Sequence, residues 1–205
     1  MTLDLFSPEP QANLLPFDGQ VQDLGLILTA EQSTKYLDYF LAHLAWQPDE
    51  VVLYGKRYVT ERKVVWYGDA EYEYHYSGSA KQARLWNPAL FRLKQHIEQL
   101  VGHPFNSCLA NLYENGSQAV GWHSDDEAEL GQDPQIASLS LGQQRFFDLK
   151  HKTCGTQLKL ELGHGSLLLM AGQCQQYWQH RVPKMAPATE GRINLTFREI
   201  KQKTT

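Results

Sequence analysis

The sequence predicts a mainly β fold, a sandwich or jelly roll with two helices packed on one of its sheets. Ten short runs of strand-forming residues follow one another at intervals near ten residues, and turn signals such as Glu-Asn-Gly at 114–116 separate them. Two segments instead carry apolar residues at helical spacing. A parallel α/β fold is disfavoured because helices and strands do not alternate along the chain.

Both helices have recognisable ends. The first begins at Thr29, which forms a capping box with Gln32. Its apolar stripe consists of Tyr36, Leu37, Phe40, Leu41 and Leu44. The second follows the N-cap residue Asn87, has Pro88 at its first position and ends at Gly102. Its stripe consists of Leu90, Leu93, Ile97, Leu100 and Val101.

The predicted strands cover most of the remaining chain after a loose, Pro-containing arm at residues 1–19. They are Val51–Tyr54, Lys63–Tyr67, Tyr72–Tyr76, Asn106–Tyr113, Ile136–Leu141, Arg145–Leu149, Gln157–Leu162, Ser166–Met170, Tyr177–Val182 and Arg192–Ile200.

Composition is that of an ordinary globular protein. The 205 residues are 42% hydrophobic and 20% charged, which fits one domain and excludes a disordered or fibrous chain. We expect no targeting segment, because residues 1–10 carry no basic residue before their few apolar ones, and no window of the sequence approaches the length of a membrane span. We therefore expect an intracellular protein, cytoplasmic or nucleoid-associated, that acts as a monomer and has no membrane partner.

The net charge of the chain neither supports nor excludes binding to nucleic acid. The net charge is −4, but ten of the 23 acidic residues lie in the segments 1–34 and 125–133. The rest of the chain carries an excess of basic residues that suits a phosphate-facing surface. Cys108, Cys154 and Cys174 are too far apart for a zinc knuckle and odd in number, so we expect buried or idle thiols.

A histidine and a carboxylate stand two positions apart at His123-Ser-Asp125. In an extended segment, residues i and i+2 project to one side, so both side chains can share a metal ion. A facial triad needs one more histidine, and the downstream candidates are His151, His164 and His180. Strand-forming sequence around His180 favours it over the turn-like surroundings of the other two. A solvated acidic loop and a satisfied core histidine remain alternatives.

The last predicted strand has one apolar face and one polar face. The polar face carries Arg192, Asn194, Thr196 and Arg198. A buried guanidinium requires an anion, and its planar fork suits a carboxylate. From this strand alone, a solvated outer face with structural ion pairs is the favoured alternative. Asn111 and Tyr113 share strand parity just upstream of the 114–116 turn and could contact the same acid.

Together these residues resemble the AlkB family of Fe(II)- and 2-oxoglutarate-dependent dioxygenases. The resemblance rests on Asn111-Leu-Tyr113, His123-Ser-Asp125, His180 placed 57 residues after His123, and the strand Arg-Ile-Asn-Leu-Thr-Phe-Arg at 192–198. It covers roughly residues 50–200 and implies a double-stranded β-helix, a form of jelly roll. We accordingly expect residues 1–50 to pack on the core as an arm and helix. Residues 51–205 form the dioxygenase domain, with nucleotide-recognition hairpins at about 51–80 and the catalytic jelly roll at about 103–200.

The resemblance implies a division of work within the site. His123, Asp125 and His180 would hold Fe(II), and the cosubstrates would be 2-oxoglutarate and O₂. Arg192, helped by Tyr113, would hold the far carboxylate of 2-oxoglutarate. Asn111, Asn194 and Arg198 would line the rest of that pocket. The implied reaction is oxidative demethylation of alkylated DNA bases, releasing formaldehyde, succinate and CO₂.

Substrate contacts follow from the same resemblance. Leu53-Tyr54-Gly55-Lys56 resembles the finger of the branch that repairs alkylated bases in duplex DNA, where an aromatic wedge enters the base stack. Tyrosine replaces the phenylalanine of that finger. Tyr74-His-Tyr76-Ser77 resembles the lid whose rings stack on a methylated, cationic base. The alternatives are a core or turn role for Tyr54, and rings facing a sheet core for the lid.

An acceptor and a basic hairpin complete the predicted substrate side. Glu127 matches a carboxylate that contacts an exocyclic amino group, which suits 1-methyladenine and 3-methylcytosine. The segment 56–63 carries four basic residues, Lys56, Arg57, Arg62 and Lys63, and a single acidic one, Glu61. This local excess of positive charge would suit contacts to phosphates. A solvated charged hairpin explains them nearly as well.

We expect alkylated DNA, single- or double-stranded, as the partner, with RNA as a further nucleic acid. One rival hypothesis is a dioxygenase of the same family acting on RNA, protein or a small molecule. Another is a jelly-roll binding module without turnover.

Overall fold

The computed structural model describes residues 12–53, 56–76, 79–186 and 188–201. The helices are α1 (Ala30–His43), α2 (Pro88–Val101) and the short α3 (Cys174–Tyr177). The strands are β1 (Gln20–Leu26), β2 (Gln47–Leu53), β3 (Lys56–Gly68), β4 (Glu73–Tyr76), β5 (Ser79–Gln82), β6 (Arg84–Leu85), β7 (Ser107–Tyr113), β8 (Val120–His123), β9 (Ile136–Gly142), β10 (Arg145–His151), β11 (Gln157–Leu162), β12 (Ser166–Ala171), β13 (Trp178–Val182) and β14 (Arg192–Arg198).

Both long helices lie where their caps predict. The Thr29 side chain accepts a hydrogen bond from the Gln32 backbone, and the Gln32 side chain accepts one from the Thr29 backbone. Asn87 accepts from the backbone of Ala89, which satisfies a free donor in the first turn of α2. Gly102 closes α2 in the left-handed conformation, with φ of 67°, that glycine adopts without strain.

Within the described residues the strands form two sheets that pack face to face, plus the hairpin β4–β5, and every strand pair is antiparallel except β3 with β6. The large sheet has the order β1-β12-β9-β14-β7-β3-β2, with β6 added beside β3. The small sheet has the order β11-β10-β13-β8. This arrangement confirms the predicted jelly roll.

The large sheet lies between the helices and the small sheet. On its outer face, Phe40 of α1 and Leu93 of α2 pack in one cluster with Leu195 of β14. On its inner face, Met170 of β12 packs with Phe147 of β10 from the small sheet. Both helices therefore cover one side of the large sheet, as predicted, and the other side faces the space between the sheets.

Strand β14 is buried on both faces, which corrects the expectation that its polar face is solvated. Ile193, Leu195 and Phe197 of β14 face the helices, and the polar residues of the same strand face the space between the sheets. Arg192 is 1% exposed and Arg198 is 7% exposed, so the solvated outer face is wrong.

Five elements escape the sequence patterns, and two of them, β5 and β6, are only four and two residues long. β1 is an edge strand in which only Val21 is fully buried, so it lacks a clear alternation of apolar residues. β8 and α3 have four residues each, too few for a period to show. The expected strand at Tyr177 accordingly starts one residue later, at Trp178, because Tyr177 ends α3. The predicted boundary at residue 50 lies inside β2, which joins the large sheet.

Candidate metal and cosubstrate site

Three potential metal ligands converge between the sheets. His123 ends β8 and His180 lies directly opposite it on β13, so antiparallel pairing places their rings 4.2 Å apart between centroids. Asp125 follows two residues after His123. One donor atom from each residue lies within 4.8 Å of the others. Two imidazoles and one carboxylate suit a divalent transition metal such as Fe(II).

The surroundings of the two histidines leave nitrogen lone pairs available at this centre. Nδ1 of His123 lies 2.9 Å from the carbonyl oxygen of Gly121 and donates to it, which leaves Nε2 as the acceptor nitrogen. His180 is buried, with the Phe147 ring stacked 5.2 Å away. Burial, together with neighbouring His123, lowers the pKa of His180 to about 3, so the ring stays neutral and available for a metal.

Asp125 is held as a carboxylate. Burial by itself raises its pKa, but the charges of Arg198, His180 and His123 and the hydrogen bond from Arg198 together outweigh this effect, so the pKa lies below its usual range. Nη2 of Arg198 lies 2.9 Å from Oδ2 of Asp125. The backbone N–H of Asp125 also donates to Oε1 of Gln175 at 2.9 Å. Asp125 is therefore charged and oriented without a metal.

A pH dependence follows from the buried histidine. The metal-free protein is expected to lose stability as the pH falls from 6.5 to about 3. Over this interval the unfolded chain binds a proton at His180 that the folded chain does not, so acid favours unfolding. Urea unfolding at a series of pH values measures the effect. His180→Asn should flatten this part of the profile, and an unchanged slope in that variant would contradict the assignment.

A second buried charge lies near the site. Arg192 donates from Nη2 to the hydroxyl of Ser140 at 2.9 Å, while its Nε and Nη1 atoms are buried and have no hydrogen-bond partner. Burial lowers the pKa of Arg192 to about 10. Since a guanidinium with unused donors is costly to bury, this residue is suited to receive a carboxylate.

Tyr113 is the centre of an arginine cluster. The guanidinium carbons of Arg192, Arg145 and Arg62 lie 5.5, 5.6 and 6.0 Å from its ring centroid. Arg145 donates to the carbonyl oxygens of Gln118 and Pro183, at 2.8 and 2.7 Å. The cluster combines cations with a phenol, a combination that favours an acidic ligand.

The remaining predicted cosubstrate residues line the pocket that the three metal-ligand candidates also line. Asn111 and Asn194 lie opposite each other on β7 and β14. Asn194 donates from Nδ2 to the hydroxyl of Ser138 at 2.8 Å and thereby fixes its amide. The structure thus places Asn111, Tyr113, Asn194 and Arg198 around one pocket, with Arg192 against the Tyr113 ring.

Glu127 lies beside this pocket with unused acceptors. Its Oε1 is 3.6 Å from Nη1 of Arg198, and both carboxylate oxygens are buried without a hydrogen-bond partner. Burial raises the pKa of Glu127, with Arg198 acting in the opposite direction. A ligand that brings an N–H donor would satisfy this carboxylate.

The predicted basic hairpin is corrected by the structure. Arg62 is 9% exposed, forms a buried ion pair with Asp49 and lines the central pocket, so it is not a surface contact for phosphate. Lys63 pairs with Glu114 at 2.7 Å. Arg57 likewise approaches Glu50 at 3.7 Å. The sequence missed these acids because strand pairing brings them from distant positions.

The rest of the predicted substrate side is partly defined. Lys56 is the first residue of β3 and is exposed. Tyr74 and Tyr76 are residues of β4. Tyr54 and Ser77 lie outside the described residues.

Two buried residues near the site had no signal in the sequence. Gln175 accepts the Asp125 backbone N–H, and Arg145 fixes the loop segments at Gln118 and Pro183. Both contacts join positions at least 27 residues apart, so no local pattern could reveal them.

In the described part of the chain, no helix is long and apolar enough to cross a membrane.

Comparison with known proteins agrees with this geometry. The family model of the 2OG-Fe(II) oxygenase superfamily matches residues 24–198. Among curated proteins, human alpha-ketoglutarate-dependent dioxygenase alkB homolog 3 is 40% identical over 179 residues, covering 81% of this chain and 62% of the relative. The corresponding Bos taurus protein is 45% identical over 70% of this chain and 53% of the relative. Human DNA oxidative demethylase ALKBH2 is 35% identical over 83% of this chain and 67% of the relative.

The chain thus spans between about half and three fifths of the length of these alkB homolog 3 proteins. Among solved structures, "The structure of OsALKBH1" matches with a TM-score of 0.64 at 16% identity, over 87% of this chain and 97% of that one. A Burkholderia pseudomallei oxidoreductase of the 2OG-Fe(II) oxygenase family matches with a TM-score of 0.58 at 12% identity, over 88% of this chain and 84% of that one. At these identities the structural likeness concerns the fold alone.

Proposed function

We propose, because this chain belongs to the 2OG-Fe(II) oxygenase superfamily, that it is a dioxygenase that oxidatively demethylates 1-methyladenine and 3-methylcytosine in DNA. The cofactors of the family are Fe(II), 2-oxoglutarate and O₂. One observation carries the proposal: the His123, Asp125 and His180 donors converge in a pocket that Tyr113 also lines, and Arg192, a buried arginine with two unused donor atoms, lies against the Tyr113 ring. A metal site and an unsatisfied carboxylate receptor joined through one pocket residue are what this chemistry requires.

The protein's own residues would divide the work as follows. His123, Asp125 and His180 would hold the iron, and Arg198 would keep Asp125 ionised. Arg192 would hold the distant carboxylate of 2-oxoglutarate, with Tyr113 beside it. Bound Fe(II), with O₂ and 2-oxoglutarate, would supply hydroxylation of an N-methyl group, and the product would release formaldehyde.

The substrate class is supported by two observations. Relatives at 34–36% identity bear the name DNA oxidative demethylase. In this chain, the buried carboxylate oxygens of Glu127 offer acceptors to a donor such as the exocyclic amino group of adenine or cytosine. We propose Glu127, Tyr74 and Tyr76 as contacts to the methylated base, and Tyr54, Lys56 and Ser77 as contacts to the surrounding DNA. Arg62 would act from within the pocket.

The experiment measures succinate and formaldehyde from purified protein supplied with Fe(II) and 2-oxoglutarate. Single- and double-stranded DNA, and RNA, would carry 1-methyladenine, 3-methylcytosine or no methyl group. Formaldehyde released only from methylated DNA would support the proposal and rank the strand preference. Formaldehyde released only from methylated RNA would identify RNA, and not DNA, as the substrate. Succinate without nucleic-acid-dependent formaldehyde would point to another substrate, and neither product would indicate a binding module.

Glu127→Gln tests the base contact. The variant keeps the shape of the side chain but replaces the charged acceptor, and a hydrogen bond to a charged group contributes about 1.5–3 kcal/mol. We expect turnover on methylated DNA to fall about tenfold while the half-saturating 2-oxoglutarate concentration stays unchanged. Glu129→Gln, two residues away, is the matched control. Equal activity of the two variants would remove Glu127 from the substrate site.

A further inference from the structure

A second cluster of reactive side chains lies in the turn between β10 and β11, outside the proposed catalytic site. Cys154 in this turn is exposed, whereas Cys108 and Cys174 are buried. Burial raises the pKa of both Cys108 and Cys174, the latter to about 12, which makes them inert thiols. Two of the three thiols are therefore buried, as expected, and Cys154 is the exposed one.

Cys154 contacts an imidazole that is itself paired with a carboxylate. Its Sγ lies 3.1 Å from Nδ1 of His151 and 3.2 Å from the hydroxyl of Thr156. On the other side of the ring, Nε2 of His151 lies 3.2 Å from Oδ2 of Asp18. The three residues form a thiol–imidazole–carboxylate series joined by hydrogen-bond distances.

The direction of these hydrogen bonds fixes which ring nitrogen carries the proton. The backbone N–H of Cys154 donates to Nδ1 of His151 at 3.3 Å, and the Thr153 hydroxyl lies 3.2 Å from the same atom. Nδ1 is therefore the acceptor, and Nε2 carries the proton that it donates to Asp18. The Nδ1 lone pair, which these donors share, also lies 3.1 Å from Sγ of Cys154, within reach of a general base beside a nucleophile.

The surrounding protein holds this arrangement in place. His151 is 4% exposed and packs edge-on against the rings of Phe17 and Trp178, each with a centroid distance of 5.1 Å. Trp178 also donates from Nε1 to the Phe17 carbonyl at 3.2 Å, which fastens the segment that carries Asp18. Asp18 has a φ of 54°, in the left-handed region that Asp and Asn enter more readily than other non-glycine residues.

We propose that Cys154 is an activated nucleophilic thiol and a site of covalent modification by low-molecular-weight disulfides. The Cys154 proton passes to Nδ1 of His151, and Asp18 stabilises the resulting imidazolium. The sulfur then attacks one sulfur of the disulfide, forming a new S–S bond while the old one breaks. The leaving thiolate takes the electron pair and is protonated from the imidazolium, so one disulfide and one thiol give one mixed disulfide and one new thiol.

Other groups around the thiol agree with this assignment. Hydrogen bonds from Thr156 lower the pKa of Cys154, and the charge of Asp18 acts against them. Tyr177 stacks on the far face of His151 at 6.1 Å. The adjacent Lys152 is engaged elsewhere, with Nζ 2.9 Å from the Gln175 carbonyl oxygen. His151 is thus the base in direct contact with the sulfur.

The first test uses dithionitrobenzoate to count the reactive thiols of the native 205-residue chain and to measure how fast they react. We expect one fast equivalent per chain, at least about threefold faster at pH 7 than a short cysteine peptide, and three after denaturation. Cys154→Ser should remove the fast equivalent. A native rate equal to that of the peptide, or a fast equivalent that persists in Cys154→Ser, would overturn the proposal.

The second test separates the proposed series from a simple charge effect. Loss of the Asp18 charge alone would make the thiol more acidic and the reaction at pH 7 faster, whereas loss of imidazolium stabilisation makes it slower. We expect Asp18→Asn to slow the reaction about threefold and shift its pH midpoint upward. His151→Gln should slow it at least as much, and Asp23→Asn is the exposed control. A faster reaction in Asp18→Asn would overturn the role of His151 and Asp18, whatever the stability of His151→Gln.

Discussion

The variant Arg192→Met is expected to be at least as stable as the wild-type protein while binding 2-oxoglutarate about tenfold to a hundredfold more weakly. Arg192 is buried and leaves Nε and Nη1 without partners, so the metal- and ligand-free fold bears the cost of an uncompensated guanidinium. Methionine fills similar space without a charge. Removing the arginine also removes two charge-assisted hydrogen bonds to the proposed carboxylate.

Thermal unfolding without ligand measures the first effect, and succinate release over a 2-oxoglutarate series measures the second. Ser140→Ala is the matched control, because it removes the hydroxyl that contacts Arg192 but keeps the guanidinium. Arg192→Lys keeps the charge without the planar fork and should fall between wild type and methionine. A large loss of stability in Arg192→Met, or an unchanged half-saturating concentration, would show that the arginine serves the fold alone.

The variant His123→Ala is expected to lose metal binding and to reduce turnover about a thousandfold or more, since metal-ion catalysis contributes several kcal/mol. His123 is the least buried of the three ligand candidates, with its side chain 26% exposed, so its truncation should leave the fold intact. Asp125→Ala would mix loss of metal binding with loss of stability, because it would leave Arg198 without its buried carboxylate partner.

Equilibrium dialysis with Mn(II) and anaerobic dialysis with Fe(II) measure the loss of binding independently of turnover. His96→Ala, on the exposed face of α2, is the control and should bind metal and release succinate like wild type. Tight Fe(II) binding retained in His123→Ala would exclude this residue from the metal site. Lost turnover with retained binding would assign it to another step.

The parts of the fold that follow local rules were predictable from the sequence. The caps at Thr29 and Asn87 are formed by residues within three positions of their partners, so the helices appear in the pattern. Such rules do not predict β8, which carries His123, because a strand of four residues is too short to show an alternation of apolar and polar residues. Local character alone favoured His180 over His151 and His164 as the third ligand but left the choice open, and the family resemblance decided it.

Long-range pairing decides the rest. Arg62 appeared to be a surface cation because its partner Asp49 lies on the preceding strand, beside an irregularity in the β2–β3 register. Glu127 was named through the family resemblance, but its unsatisfied oxygens become apparent only when the loop folds against Arg198. The contacts of His151 show the same limit. Its sequence neighbours indicate a turn, whereas the fold places it at the end of β10 against Asp18.

The position of His123 and His180 opposite each other on β8 and β13 has a consequence for motion. Among the described strands, β8 is the edge of the small sheet and has β13 as its one neighbour, so its amide groups should exchange with solvent by local fraying. An ion shared by the two histidines would tie this edge to the sheet interior. Amide exchange along Val120–His123 should therefore slow when metal is added, and edge fraying would set the rate at which the ion escapes.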